Sequence, residues 1–299
     1  MSPSPTGYAR NGEVRIAYED LGGAGGEPLL LVMGSSVTRF WWSPGFVAAL
    51  IERGFHVAAY DNRDAGQSTH FPEATAYPVT ALLRKRIPAY TGEDVADDAA
   101  AVMDAMGWDS AVLFGHSNGG LNAQRIAMRH RERVRGLVTS AAVSSDATRM
   151  QMLRYIHFGY VAKMARLRFP ETRDGDIAMS LAVARAMASP GHPFDEAEVL
   201  SRIEKDDTCP VRDPKTMGRQ LGAHWSSGGL AQLRVPATVM HGDADQLLKT
   251  TAARDLAAAI PGARLVIVPG VGHDLPPAMW DRYADEIRAT ASREFADAP

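Results

Sequence analysis

Gly115-His116-Ser117-Asn118-Gly119-Gly120 is the stretch on which the fold turns. It contains G-x-S-x-G, a pattern that sets a serine on a sharp strand-to-helix turn with its hydroxyl held clear of the backbone. The flanks suit such a turn. Ser110-Ala111-Val112-Leu113-Phe114 is a short apolar run of strand length, and Leu121 to Arg131, LNAQRIAMRHR, has the composition of a helix. Glycines at 115 and 119 lack the Cβ atoms that would collide where strand and helix pass closely. The plainer reading is a turn serine in a Gly-rich loop, because three fixed letters recur by chance and glycine and serine are ordinary turn residues. Partners for Ser117 elsewhere in the chain decide between the two.

Upstream, the clearest periodic signal is Val95, Ala99, Val102, Met103 and Met106, which fall at i, i+4, i+7, i+8 and i+11 on one helical face. Thr91 is placed to cap that helix, Glu93 and Asp94 sit in its first turn, and Gly107 suits the position just past its end. Before it, Pro28-Leu29-Leu30-Leu31-Val32-Met33 is apolar throughout, as expected of a strand covered on both faces, and runs into Gly34-Ser35-Ser36. Phe46 to Arg53 reads as a helix, Phe55 to Tyr60 as a second buried strand, and Asp61 to Ser68 as the polar loop after it. Tyr8-Ala9-Arg10 and Val14 to Tyr18 read as a hairpin turning at Asn11-Gly12, followed by a Gly-rich loop, Gly22 to Gly26.

Downstream, Val134 to Thr139 is another strand, and there the alternation of strand and helix stops. It resumes with a strand at Pro236 to Met240, a helix at Thr251 to Ile260, a strand at Ala263 to Val268 and a helix from Met279 to Thr290. The shared order on both sides of the gap predicts one α/β core, residues 1–143 and 230–299, with a mostly parallel central sheet flanked by helices. Residues 144–229 then form an inserted helical cap.

A chain of 299 residues, 45% apolar and 22% charged, has the balance of a soluble globular protein able to bury a large core. Its 32 Lys and Arg against 35 Asp and Glu give a net charge of −3, which argues against a nucleic-acid partner. Cys209 is the only cysteine, so an internal disulfide and a multi-cysteine zinc site are excluded. Met1 to Gly7 carries neither the basic segment nor the apolar stretch of a leader, and no apolar run approaches the roughly 18 residues that span a bilayer. The expectation is a cytoplasmic protein with no membrane anchor.

In an open α/β sheet the reactive groups gather outside the carboxyl ends of the strands. The loops that qualify are Gly34-Ser35-Ser36, the turn at Ser117, His241-Gly242-Asp243-Ala244-Asp245, and Pro269 to Pro276. A serine hydroxyl is a weak nucleophile near neutral pH; it needs a base within hydrogen-bond reach, and the base needs a third group to fix its tautomer. Among nine histidines, His273 follows the last strand in a Gly-rich loop and is the expected base, although a histidine taken without that context is an ordinary surface or packing residue. His116 flanks a turn that exposes Ser117 and reads as packing; His241 ends a strand and reads as shaping its loop. Two carboxylates compete for the third role. Asp243 reads as a turn-capping residue bonded to local amides, whereas Asp245, past Gly242, has more freedom to reach the last loop and is preferred. Asp274 would have to fold back on its own neighbour. A tetrahedral intermediate also needs preorganised donors for its oxyanion, and the backbone amides of Asn118 and of Ser35, beside Gly34, are placed to supply them.

Leu31 to Gly34, Tyr60 to Thr69 (YDNRDAGQST), the serine turn, Ser189 to Asp195 (SPGHPFD), His241 to Asp245 and Gly270 to Pro276 (GVGHDLP) together resemble bacterial α/β-hydrolases similar to aclacinomycin methylesterase, over nearly the whole chain. The resemblance implies the α/β-hydrolase fold, a triad of Ser117, Asp245 and His273, and an oxyanion hole from the amides of Ser35 and Asn118. It also implies a structural loop at Asp61 to Ser68, in which Arg63 would pair with Asp61 or Asp64 and brace the site. The family carries methionine after the serine; here Asn118 keeps the amide and adds a polar side chain near the pocket. The insertion is rich in methionine and aromatic residues, most of which hold it together. Tyr155, Phe158 and Trp225, with Gly34, Trp41 and Trp42 near the oxyanion loop, are the candidate pocket residues. Arg149, Arg154, Arg166, Arg168 and Arg173 read as a solvated helical face. These readings predict a serine hydrolase of a carboxylic ester of a bulky hydrophobic or aromatic small molecule, a methyl ester among the candidates, needing no metal or organic cofactor. The alternatives are lactone opening, C–C cleavage or perhydrolysis by the same groups, and a capped ligand-binding protein without turnover.

Overall fold

The computed structural model describes residues 5–71, 89–206 and 214–295, so Met1 to Ser4 and Cys209 lie outside the described residues. The apolar runs pair as strands. β1 (Gly7–Asn11), β2 (Val14–Gly22), β3 (Glu27–Val32), β4 (Phe55–Tyr60), β5 (Ala111–His116), β6 (Val134–Ser140), β7 (Ala237–Gly242) and β8 (Arg264–Val268) form one sheet in the order β1-β2-β4-β3-β5-β6-β7-β8. The pairings β1–β2 and β2–β4 are antiparallel and the rest are parallel. In the first hairpin Asn11 pairs with Val14, so the turn residues are Gly12 and Glu13, one place later than the Asn11-Gly12 expected. Gly12 takes φ 58, a conformation that favours glycine.

The helices of the described residues are α1 (Pro44–Glu52), α2 (Gly92–Ala105), α3 (Asn118–Arg129), α4 (Arg149–Tyr155), α5 (Phe158–Met164), α6 (Arg173–Met187), α7 (Glu196–Lys205), α8 (Pro214–Leu221), α9 (Thr250–Ala259) and α10 (Trp280–Ala291). Alternate side chains of a strand point to opposite faces, and here both faces are covered. Leu29, Leu31, Val112 and Phe114 pack with Phe46 and Leu50 of α1 and Tyr283 and Ile287 of α10. Leu30, Val32, Ala111 and Leu113 pack on the other face with Ala99, Val102 and Met103 of α2, Ile126 of α3 and Leu256 of α9. Strands buried on both sides have no use for polar residues, which is why these read as continuous apolar runs. The start of α2 is fixed by a reciprocal cap: Thr91 Oγ1 accepts from the Asp94 amide, and the Asp94 carboxylate accepts from the Thr91 amide.

Residues 144–229 contribute α4 to α8 and, among the described residues, no strand of the sheet. They are anchored to the sheet-bearing part through Tyr155, which is buried against Val143, Leu248 and Ala252 and donates its hydroxyl to Asp255 at 2.8 Å. A second anchor lies at the loop after β4. There Arg63 pairs with Asp98 of α2 at 2.6 Å, Asp61 with Arg39, and Asp64 with Arg219 of α8 at 2.6 Å. The pairing of Arg63 with Asp61 or Asp64 is therefore corrected: each charge of this tight turn reaches a different neighbouring element. Removing one partner of such a buried pair costs about 3–5 kcal/mol, because it leaves the other charge buried without a partner. No helix of the described residues is long and apolar enough to cross a membrane.

Candidate active site

Ser117 stands between β5 and α3 with φ 56 and ψ −125, a strained conformation for a residue with a side chain. Close packing imposes it. A Cβ on Gly115 would lie 2.4 Å from the Gly119 carbonyl oxygen, and one on Gly119 would lie 2.0 Å from that of Val32. The Ser117 amide donates to the Ser140 carbonyl at 2.8 Å, which pins the turn to β6. The serine itself is only half-buried, at the carboxyl edge of the parallel strands.

Ser117 Oγ lies 3.0 Å from Nε2 of His273, and Nδ1 of His273 lies 2.8 Å from Oδ2 of Asp245. The carboxylate accepts from Nδ1–H, which leaves Nε2 as the acceptor for the serine hydroxyl. Oδ1 of Asp245 accepts the amides of Leu247 and Leu248 at 2.8 and 2.9 Å, so both oxygens are committed. Burial pushes the Asp245 carboxyl up, but the electrostatic attraction of His273 and the hydrogen bonds from its ring and from the Leu248 amide outweigh it and hold the group below the usual carboxylate range.

The other titratable groups of this rim take supporting positions. Asp243 accepts the Gly270 amide at 2.7 Å, tying two adjacent loops together rather than capping its own turn. Asp274 accepts from the Ser189 hydroxyl, and its pKa is raised by burial. His116 donates from Nε2 to the His273 carbonyl at 3.0 Å, and burial, reinforced by His273, lowers its pKa to about 3. His241 donates to the Leu248 carbonyl at 3.1 Å; burial lowers its pKa too, so both rings are neutral near pH 7.

The loop after β3 passes beside the serine. A Cβ on Gly34 would sit 3.3 Å from Ser117 Cβ and 3.7 Å from its Oγ. The Ser36 amide donates to Gln220 Oε1 at 2.8 Å, whereas the Ser35 amide has no protein acceptor among the described residues. Asn118 opens α3, so its amide has no carbonyl one turn back in the helix.

The pocket residues expected from sequence separate. Gly34 adjoins the serine, and Phe158, 57% exposed, lines an open cleft of about 560 Å³ together with Tyr160, Asp243, Asp245 and Lys249. Trp42 is not among the residues lining that cleft; it is stacked on Phe46 and packed against Phe114 inside the core. Tyr155 is buried as the anchor described above, and Trp225 donates to the Gly228 carbonyl with its ring beneath Arg125. Trp41 is half-buried and donates from Nε1 to Asp206 at 3.3 Å. Large aromatics serve equally as framework and as lining, and only contacts distant in sequence tell them apart.

The sequence reading missed Gln220, Asp206 and Arg219, and carried Ser189 only as part of SPGHPFD. Ser189 Oγ accepts the Gly272 amide at 2.8 Å, and the Met187 carbonyl accepts the His273 amide at 3.0 Å, so the segment after α6 grips the loop that carries the histidine. No local pattern marks Gln220, whose contact spans 184 positions of chain. Among the described residues no group of three or more His, Cys, Asp or Glu is gathered where it could hold a metal ion.

Known proteins agree with this architecture. Rhodomycin D methylesterase of Streptomyces peucetius is 27% identical over 306 residues, covering 95% of this chain and 97% of that protein. An esterase from Rhodococcus superposes with a TM-score of 0.72 at 21% identity, covering 96% of this chain and 98% of the other. A meta-cleavage product hydrolase from Pseudomonas fluorescens superposes with a TM-score of 0.67 at 18% identity, covering 95% and 96%. At these identities the superpositions speak to fold alone. Residues 22–276 match the sequence profile of the family described as alpha/beta hydrolase fold, and the chain belongs to that family.

Proposed function

We propose that the protein is a serine hydrolase that cleaves a carboxylic ester of a small molecule. The observation that carries the reading is the hydrogen-bonded line from Ser117 through His273 to Asp245, at 3.0 and 2.8 Å. In this reading His273 Nε2 takes the Ser117 proton as Oγ attacks the ester carbonyl, and the carbonyl π electrons move onto oxygen. Asp245 stabilises the imidazolium. The amides of Ser35 and Asn118 receive the oxyanion, a contribution that is typically about 10²–10³-fold in rate for each donor. Collapse expels the alcohol, which takes its proton from His273, and leaves an acyl group on Ser117. Water, deprotonated by His273, then attacks the acyl carbonyl, and the acid and the free serine are released.

Residues 1–143 and 230–299 would be the catalytic core and 144–229 the cap that covers it. Likeness to rhodomycin D methylesterase over 95% of the chain favours a methyl ester on a bulky ring system, with methanol as the leaving group. A fluorophosphonate probe is expected to label the wild-type protein, and Ser117→Ala is expected to abolish both labelling and turnover of an aryl or methyl ester. Unlabelled wild type would point to a ligand-binding protein, and turnover of lactones alone would move the substrate class.

A further inference from the structure

The loop that would hold one half of the oxyanion site is fastened at two points by side chains from elsewhere. Asn62 Nδ2 donates to the Met33 carbonyl at 2.9 Å, and Gln220 Oε1 accepts the Ser36 amide at 2.8 Å. The Ser35 amide lies between these two fastenings. Ser36 itself has φ 57, a left-handed conformation that a serine keeps only when its surroundings enforce it. Gln220 is 7% exposed, and its other end donates from Nε2 to the Arg63 carbonyl at 3.0 Å. With oxygen committed to Ser36 and nitrogen to Arg63, the amide group cannot rotate without leaving a buried donor and a buried acceptor unpaired.

Resting on the ester-hydrolase reading, we infer that Gln220, a residue of the inserted segment, is a positioning residue for the oxyanion site. It does not touch the reacting atoms. It holds the Ser35–Ser36 peptide plane, so that the preceding plane, which carries the Ser35 N–H, keeps a fixed orientation in the loop that passes beside Ser117. It also removes the Ser36 amide from competition for the same charge, which selects Ser35 as the donor. The inserted segment thereby shapes the electrophilic half of the site as well as its roof.

The test compares Gln220→Leu, which keeps bulk and removes both hydrogen bonds, with Gln220→Glu, which keeps an acceptor for Ser36. Gln220→Leu is expected to lose about 10–100-fold in kcat with KM within about threefold, the signature of an interaction expressed in the transition state. A boronic acid inhibitor, whose tetrahedral adduct places an oxygen in the same hole, should lose affinity by a similar factor, with the midpoint of the pH–rate profile unmoved. Gln220→Glu should recover most of the loss. Folded Gln220→Leu with wild-type kcat, a change confined to KM, or equal losses in the two variants would each overturn the inference. If Gln220→Leu does not accumulate folded, Gln220→Met decides in its place: a loss above about tenfold in kcat with KM within about threefold sustains the inference, and kcat near wild type refutes it. Wild type that resists the fluorophosphonate, or Ser117→Ala that still turns over, would instead bring down the ester-hydrolase reading itself.

Discussion

Replacing Asp245 by asparagine changes one atom and should cost most of the activity. The amides of Leu247 and Leu248 both point at Oδ1 and need an acceptor there, so the asparagine oxygen must stay in that place. Its NH2 group then occupies the position of Oδ2, 2.8 Å from Nδ1 of His273. Two N–H groups cannot share that contact, so the imidazole proton moves from Nδ1 to Nε2, the atom that faces Ser117 Oγ at 3.0 Å. A histidine protonated at Nε2 cannot take the serine proton. The same wrong-tautomer substitution in a serine protease lowers kcat about 10⁴-fold, which is about 5.4 kcal/mol of lost transition-state stabilisation. The side chain is isosteric and its loop bonds survive, so the thermal midpoint should change far less than kcat. Asp243→Asn is the internal control, because its oxygen still accepts the Gly270 amide and no catalytic tautomer depends on it. Steady-state hydrolysis of a p-nitrophenyl ester, alongside thermal unfolding of each variant, measures both. Asp245→Asn retaining more than about a tenth of wild-type kcat, or Asp243→Asn losing as much as Asp245→Asn, would refute the assignment.

Gly119→Ala should destabilise the protein by about 3 kcal/mol or more, because the new Cβ would stand 2.0 Å from the Val32 carbonyl oxygen and strand or helix must move; an unchanged melting temperature would disprove that packing. Stability should also erode in mild acid. His116 has its folded pKa lowered to about 3, below its unfolded value of about 6.5, so its contribution is present above about pH 6.5 and is lost as pH falls toward 3, by up to about 1.4 kcal/mol per pH unit. Urea midpoints measured from pH 7 to pH 4 should therefore fall less steeply in His116→Gln than in wild type, and parallel slopes would refute the buried neutral histidine.

Much of this was legible in the chain because the informative contacts are local or periodic. The serine turn announces itself through Gly115 and Gly119, each fixed by backbone passing closer than a Cβ allows. The helix after Thr91 is written in its cap and in one apolar face, and β3 and β5 in runs buried on both sides. His273 and Asp245 could be placed because a parallel sheet delivers the ends of its strands to one rim. Illegible were the contacts that depend on which distant surface a side chain meets. Arg63 reaches Asp98 rather than its neighbours, and Trp42 fills the core beside Phe114 rather than facing a ligand. The sequence suggests that Asp243 caps its own turn, yet it bridges to Gly270, because the two loops come together only when β7 and β8 pair.

The distribution of those distant contacts bears on how the site is built. Ser117, His273 and Asp245 all lie outside residues 144–229, yet the loops carrying them would be left with unmet polar groups without that segment. The His273 amide is met by the Met187 carbonyl, the Gly272 amide by Ser189, and Gln246 donates to the Ala188 carbonyl. In the loop after β3 the Ser36 amide is met by Gln220, and the Thr38 hydroxyl donates to Asp206 at 2.7 Å. Cutting the segment away would hand these groups to water and remove the contacts that hold the loops in place, so the loops beside Ser117 and His273 would loosen. A segment fastened at 187–189, Asp206, Arg219 and Gln220 is a poor hinge. The open cleft bordered by Phe158 and Tyr160 lies beside Asp245, remote in the chain from those fastenings, and neither Ser117 nor His273 lines it. The segment's hold on the loops beside Ser117 and His273 is thus concentrated at Met187 to Ser189, Asp206 and Gln220.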